Sequence, residues 1–298
     1  MRVVLLGKGI MLAGMIEGCI NALNTDIVGV LRYDNLTKNR FQLAVSDFFS
    51  HSVEEILIKK YELNELHFNS TNSPDFRDFL LKNNVDMVLV GTWREKISKK
   101  VFAVPRLGFV NIHPSLLPKY RGPNPYLQVI KNREPFSGFT FHKIDENFDT
   151  GEILYQARAE ILPFYTSKEL REATVFEVKK SLPGFLYEYE NGEITPLKQD
   201  ENLASYYPNI EREDMMLDFE RETAEEIVAR IKALHPWLPC YVTTKSGFYI
   251  PNPYHLSIEN ADNETLSLDV KNKLIKAKCK DGKVVVMKNV KKYRKFMY

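Results

Sequence analysis

The constraint that narrows the fold most lies at the start of the chain. Residues 3–6 form a continuous apolar run, Val3-Val4-Leu5-Leu6, which breaks at Gly7-Lys8-Gly9. A helical pattern through Met15, Ile16 and Ile20 follows, and then a second apolar run, Ile27-Val28-Gly29-Val30-Leu31. Strand, helix and strand in that order make a crossover unit, so a parallel sheet is expected to follow. The two glycines invite a dinucleotide reading. No third glycine completes that fingerprint, however, and Asp34 is a loose match to a ribose-binding acid, so a plain strand-to-helix turn is the simpler account.

The pattern continues with helices predicted over residues 41–61 and 73–83, the latter with Ser73 as N-cap and Pro74 at its first position. A buried strand over 86–90 then runs into Gly91-Thr92-Trp93-Arg94-Glu95-Lys96-Ile97. Open α/β sheets build their sites from such loops at strand C-termini. After a short helix over 99–103, Gly108-Phe109-Val110 leads into Asn111-Ile112-His113-Pro114-Ser115-Leu116-Leu117-Pro118-Lys119-Tyr120-Arg121-Gly122. In extended backbone, residues two apart face the same side, so Asn111, His113 and Ser115 project into one space. Residues 125–131 read as a helix. Residues 138–144 alternate as a strand, with Thr140, His142 and Ile144 on one face, and His142 reads as a packing residue beside the site. An acidic loop over 145–151, a strand over 153–155, and one long or two short helices over 167–190 complete a first domain, 1–195.

Residues 196–208 are polar and irregular and read as an interdomain linker. In the domain that follows, 209–298, a helix over 223–233 precedes short β-like runs separated by turns, the pattern of a small barrel or sandwich. A chain of 298 residues with 44% hydrophobic and 27% charged residues can give each domain its own core. Lys plus Arg (41) nearly balances Asp plus Glu (39), so charge alone demands neither nucleic acid nor membrane, although the chain is strongly basic from Lys271 onward. Cys19, Cys240 and Cys279 show no ligand spacing and suit a reducing compartment. No apolar run is long enough for a bilayer, and residues 2–6 read as a core strand rather than a signal, so a soluble, cytoplasmic protein is expected.

The chemistry centres on three residues. His113 can exchange a proton near neutral pH, and a carboxylate such as Asp149 would fix its tautomer. Asn111 offers an amide N–H to an oxygen gaining negative charge. Together these are parts for acyl transfer to a nucleophile carried by a substrate. Ser115 does not sit in a nucleophile elbow. The same residues also suit a plainer role, satisfying backbone groups in a proline-rich loop, and Asp149-Thr150-Gly151 alone would be a turn.

The run Asn-x-His-x-Ser-Leu-Leu-Pro-x-Tyr-Arg-Gly from Asn111, then Ser137-Gly138-Phe139-Thr140, then Asp145 with Asp149-Thr150-Gly151-Glu152-Ile153-Leu154, resembles the signature of formyltransferases that use 10-formyltetrahydrofolate. Residues 219–241, with Ala224-Glu225-Glu226-Ile227 and Pro236-Trp237, are similar to the start of the C-terminal domain of methionyl-tRNA formyltransferases. The resemblance is weakest over residues 32–85 and beyond Pro251. It implies a doubly wound, mostly parallel, Rossmann-like sheet followed by a β-rich, OB-like barrel. It implies a catalytic trio of Asn111, His113 and Asp149. It also implies a formyl-donor site at Arg94, Glu95, Lys96 and Ile97 and at Asp145, Glu146 and Asn147, with Ser115, Arg121 and Gly122 supporting the loop or substrate, and no metal. Three acceptors follow from it: the amine of methionyl-tRNA, the amine of a nucleotide-linked sugar, or water. The basic C-terminal segment favours tRNA. Gly122-Pro123-Asn124-Pro125-Tyr126, in place of an Ala-rich continuation, leans toward the sugar, and residues 32–50 are a candidate lid.

Overall fold

The computed structural model describes residues 1–37, 52–260 and 266–293. Residues 38–50 of the candidate lid and the N-terminal part of the helix predicted over 41–61 lie outside the described residues, as do Arg294 and Lys295. By internal packing the chain forms two compact units, one of Met1–Arg121, Gly138–Ala159 and Glu172–Tyr206, the other of Gly122–Ser137, Glu160–Arg171 and Tyr207–Tyr298.

The first unit is built on a six-stranded sheet ordered β2-β1-β3-β4-β5-β6. β1 (Arg2–Gly7) lies parallel to β2 (Asp26–Arg32) and to β3 (Met87–Gly91), and β3 lies parallel to β4 (Phe109–His113). β5 (Phe136–Lys143) runs antiparallel to β4, and β6 (Ile153–Glu160) follows at the edge. The apolar runs are continuous because both faces are covered. Val3, Leu5, Met87 and Leu89 pack with Leu12, Met15 and Ile16 of α1 (Gly9–Ile20) and with Phe139, Phe141 and Phe185. Val4, Leu6, Val88 and Val90 pack on the other face with Phe76, Leu80, Ile97, Val101 and Phe109.

The first strand-to-helix turn is the plain one. A Cβ on Gly7 would fall 2.6 Å from the Gly91 carbonyl oxygen, so this glycine serves strand packing. The buried Glu54 carboxylate accepts the Gly9 N–H at 2.8 Å and occupies the helix N-terminus that a phosphate would need. Asp34, in the short helix α2 (Asp34–Thr37), pairs with Lys8 at 2.9 Å. Ser52 caps α3 (Val53–Lys60), and Ser73 caps α4 (Pro74–Lys82), with Pro74 in the first turn as the sequence predicts. α5 (Lys99–Phe102) leads to β4. The two readings of residues 167–190 resolve to one helix, α7 (Ser167–Glu190), with Pro183 inside it. Residues 197 and 206 form bridges to Ile153 and Arg121, with a 3₁₀ turn at Glu201–Leu203 between them.

In the second unit α6 (Pro125–Lys131) packs on α8 (Ala224–Leu234), which begins in a capping box made by Thr223 and Glu226 and buries Ile227 and Ile231. The β-rich character expected here is present, arranged as two antiparallel sheets, with no closed barrel among the described residues. One sheet orders β10 (Leu266–Asp269), β11 (Leu274–Lys278), β12 (Val284–Met287) and β9 (Leu256–Glu259). The other orders β13 (Lys291–Lys292), β8 (Gly247–Ile250) and β7 (Val242–Thr244). All three cysteines are buried, and burial pushes the Cys240 thiol up to about 12, Cys279 to about 11, and Cys19 higher still. Among the described residues no helix is long and apolar enough to cross a membrane.

Candidate active site

The site forms where β3 and β4 end, between the loops that follow β3 and β5. Asn111 sits near the end of β4, paired with Val90 on one side and with His142 of β5 on the other. Its Nδ2 lies 3.0 Å from His142 Nε2, while His142 Nδ1 faces the Lys143 carbonyl oxygen at 2.9 Å. A carbonyl accepts only, so His142 carries its proton on Nδ1, and Nε2 accepts an N–H from Asn111. Burial, reinforced by the neighbouring His113 and opposed by Asp149, lowers the His142 pKa from 6.5 to about 4, so the ring is neutral at pH 7. One Asn111 N–H is thereby committed and the orientation of the amide is fixed.

His113, 4% exposed, stands two residues further along. Its Nε2 lies 2.8 Å from the Tyr120 carbonyl oxygen and must donate to it. Nδ1 then faces the Asp149 carboxylate, with Oδ1 at 3.4 Å. Asp149 adopts φ 58°, and a Cβ on Gly151 would fall 1.8 Å from the Lys143 carbonyl oxygen, so the Asp149-Thr150-Gly151 turn needs the glycine at its third position. The three residues of the expected trio are thus together. The arrangement offers an amide N–H donor, an imidazole with one nitrogen open toward a carboxylate, and that carboxylate at the cavity wall.

Val90, Trp93, Ile97 and Ile144 give the cavity apolar walls, and Lys96, Asn111, Asp145, Asn147 and Asp149 are its main polar lining. Of the donor-site residues expected from sequence, Lys96, Glu95, Ile97, Asp145 and Asn147 border it, whereas Arg94 and Glu146 do not. Arg94 is exposed, and Glu146 pairs with Lys99 at 3.1 Å on the surface. Glu95 borders the cavity but spends its carboxylate elsewhere. It accepts from the Thr71 N–H at 2.9 Å, from the Thr71 hydroxyl at 2.5 Å and from the Ser70 hydroxyl. Asp145 accepts from Thr150 Oγ1 at 2.7 Å and from the Asn147 N–H at 3.0 Å, closing its loop on itself.

Ser115 is fully buried, and its hydroxyl donates to the Lys119 carbonyl at 2.8 Å, which makes it a support of the loop. Gly122 takes φ 110°, a conformation suited to glycine. Arg121 is turned away from the cavity: its guanidinium donates to Gln199 and, through two nitrogens, to Glu201 at 2.9 and 2.8 Å. Residues missed from sequence include Asn72 and Gln199, and His142, which the sequence marks as packing beside the site, orients the Asn111 amide. Asn72 donates to the Lys96 carbonyl at 2.8 Å and accepts the Ser98 N–H at 2.7 Å, bracing the loop after β3 from behind. The only sequence signal for His142 was its place on the site-facing side of β5. Asn72 and Gln199 carried none.

Known proteins bear on this geometry. A family model described as formyl transferase matches residues 1–186. The chain is 32% identical over 234 residues to the methionyl-tRNA formyltransferase of Thermotoga maritima, covering 78% of this chain and 72% of that one. It is 31% identical over 214 residues to the methionyl-tRNA formyltransferase of Clostridium novyi, covering 72% and 69%. In fold it is similar to an N-formyltransferase from Helicobacter canadensis in complex with folinic acid and dTDP-3-aminofucose, with TM-score 0.68 and 17% identity over 98% of this chain and 99% of that one. It is also similar to HypX from Aquifex aeolicus in complex with tetrahydrofolic acid, with TM-score 0.63 and 15% identity over 99% of this chain and 45% of that one. The family match spans every strand of the six-stranded sheet together with Asn111, His113 and Asp149, and on that ground the chain belongs to the formyl transferase family.

Proposed function

We propose that this enzyme transfers the formyl group of 10-formyltetrahydrofolate to the amino group of methionyl-tRNA. The observation that carries the reading is the 32% identity over 234 residues to a methionyl-tRNA formyltransferase, a span longer than the 186 residues of the family match. In this reading residues 1–195 perform the chemistry, 196–208 connect, and 209–298 meet the acceptor. Lys271, Lys273, Lys278, Lys280, Lys288, Lys291 and Lys292 are exposed and suit a phosphate backbone. The cavity suits a flat heterocycle: its walls are apolar, its rim is polar, and the buried Trp93 Nε1–H has no acceptor among the described residues.

In the reaction the acceptor's amine attacks the formyl carbon, and the new C–N bond places negative charge on the formyl oxygen. The second Nδ2–H of Asn111, left over from the bond to His142, donates to that oxygen. The amine's proton passes to the Asp149–His113 pair, where Nδ1 takes it and the carboxylate stabilises the imidazolium. The same proton serves the nitrogen that leaves as tetrahydrofolate. The donor is consumed as a substrate.

A second reading, formylation of a nucleotide-linked amino sugar, is favoured by one local feature, Gly122-Pro123-Asn124-Pro125-Tyr126. Incubation with 10-formyltetrahydrofolate and either charged initiator tRNA or a panel of nucleotide-linked amino sugars separates the two. Formylated methionyl-tRNA is expected, with kcat/KM falling roughly 10³-fold between 50 and 200 mM salt if about six phosphates are contacted. Formylation of a sugar alone, or formate release without an acceptor, overturns the assignment.

A further inference from the structure

The Asp149 loop is held by a residue that lies outside every motif of the chain. Gln199 is 5% exposed. Its Nε2 donates to two carbonyls of that loop, Asp149 O at 2.9 Å and Gly151 O at 2.8 Å. Its Oε1 accepts from Arg121 Nε at 3.2 Å and from Arg121 Nη2 at 2.8 Å. Both amide hydrogens and both lone pairs are therefore used, which is the full capacity of a glutamine. Arg121, 7% exposed, is fixed in turn by Glu201. The end of the 111–122 stretch and the turn that carries Asp149 are thus joined through one side chain.

That junction has work to do. Asp149 sits at φ 58°, in the left-handed region that non-glycine residues adopt uncommonly and Asp more readily than most, so the aim of its side chain depends on how the turn is held. Its carboxylate lies 3.4 Å from His113 Nδ1, at the long end of hydrogen bonding, where a displacement of a few tenths of an ångström decides whether proton transfer is supported. From this geometry we infer that Gln199 is a positioning residue for formyl transfer: its amide, oriented by Arg121, fixes the backbone that aims Asp149 at His113. The inference rests on the proposed role of Asp149. It requires glutamine specifically, because a glutamate at this position would set oxygens without hydrogens against two carbonyls while still satisfying Arg121.

The test is a double-mutant cycle on the full chain, with methionyl-tRNA and 10-formyltetrahydrofolate as substrates and thermal unfolding as a check on folding. Gln199→Glu, and Gln199→Met as an uncharged variant of similar volume, are each measured alone and in an Asp149→Asn background. In the wild-type background kcat is expected to fall about 10- to 100-fold, with KM for the formyl donor within about threefold of wild type. In the Asp149→Asn background either substitution is expected to change kcat by less than about twofold, because the residue acts through Asp149. Equal losses in both backgrounds, or a loss confined to KM, overturn the inference. So does wild-type kcat in Gln199→Met alongside a crippled Asp149→Asn enzyme, an outcome that leaves the catalytic reading intact. Full activity in Asp149→Asn itself marks failure of the catalytic reading instead, and the inference falls with it.

Discussion

The two loops that wall the cavity each have a side-chain amide on their backbone, Asn72 on one and Gln199 on the other, and differ in what else holds them. The loop after β3 carries its own anchor, since Glu95 reaches out of it to the hydroxyls of Ser70 and Thr71 and to the Thr71 N–H. The loop after β5 is gripped by its backbone, with the carbonyls of Asp149 and Gly151 held by the neutral Gln199 amide. The Glu95 carboxylate, added to the Asn72 brace at Lys96 and Ser98, holds the loop after β3 while leaving the side chains of Arg94 and Lys96 exposed. A grip on two carbonyls of one turn, those of Asp149 and Gly151, fixes the backbone from which the Asp149 side chain projects. The first kind suits a wall and the second suits a reacting group, so the comparison predicts different kinetic damage on the two sides.

The largest effect is expected at the chemistry itself. Replacing His113 with Ala should lower kcat by about 10²- to 10⁴-fold, and Asn111→Ala by about 10²- to 10³-fold, each at near-constant donor KM in steady-state assays. Wild-type rates in either variant would break the comparison, because the gripped loop would then have nothing to aim.

A second effect is on stability against pH. His142 has its folded pKa lowered from 6.5 to about 4, so the unfolded chain binds the proton more readily than the folded one between those values. The stability tied to the neutral ring is present in full above about pH 6.5 and is lost as pH falls toward 4, by roughly 3 kcal/mol in all. Urea unfolding at pH 7 and at pH 5 should show the decline, and a His142→Gln variant should flatten its part of it.

Gly151→Ala tests the gripped loop directly. The added methyl would meet the Lys143 carbonyl oxygen, and a loss of about 1–3 kcal/mol in unfolding free energy is expected, accompanied by a fall in kcat. Glu95→Gln should be the mildest. It keeps the shape and loses the charge, weakening the bonds to Ser70 and Thr71 by about 1 kcal/mol, and its expected signature is a severalfold rise in donor KM with kcat nearly unchanged. A fall in kcat alone for Glu95→Gln would erase the distinction between the two loops.

What could be read in the sequence follows the same division. The parallel sheet was legible because buried strands with both faces covered are continuously apolar, as residues 3–6 and 87–90 are. Asn111, His113 and Asp149 were legible as candidates because few residue types can donate to an oxyanion or carry a proton, and two of them share one strand. Gln199 was not, since a glutamine in a polar stretch looks like linker until its partners are known to be carbonyls 48 and 50 residues earlier. Asn72 was hidden for the same reason. Glu95 and Arg121 were visible but their direction was not: Glu95 read as part of the donor site and Arg121 as support for the loop or substrate, and both turn their charge to the protein. His142 read as packing, and its one accepting nitrogen, which sets the Asn111 amide, depends on a tautomer that only the Lys143 carbonyl reveals.

The buried cysteines have a practical consequence. With all three thiols enclosed and their ionisation pushed well above neutral pH, the native protein presents no ready target to a maleimide. A single cysteine placed at the rim, for example Phe148→Cys at a position that is 53% exposed and borders the cavity, would take a fluorophore without first stripping the chain of its own sulfur. Donor binding could then be followed optically, before any acceptor is added.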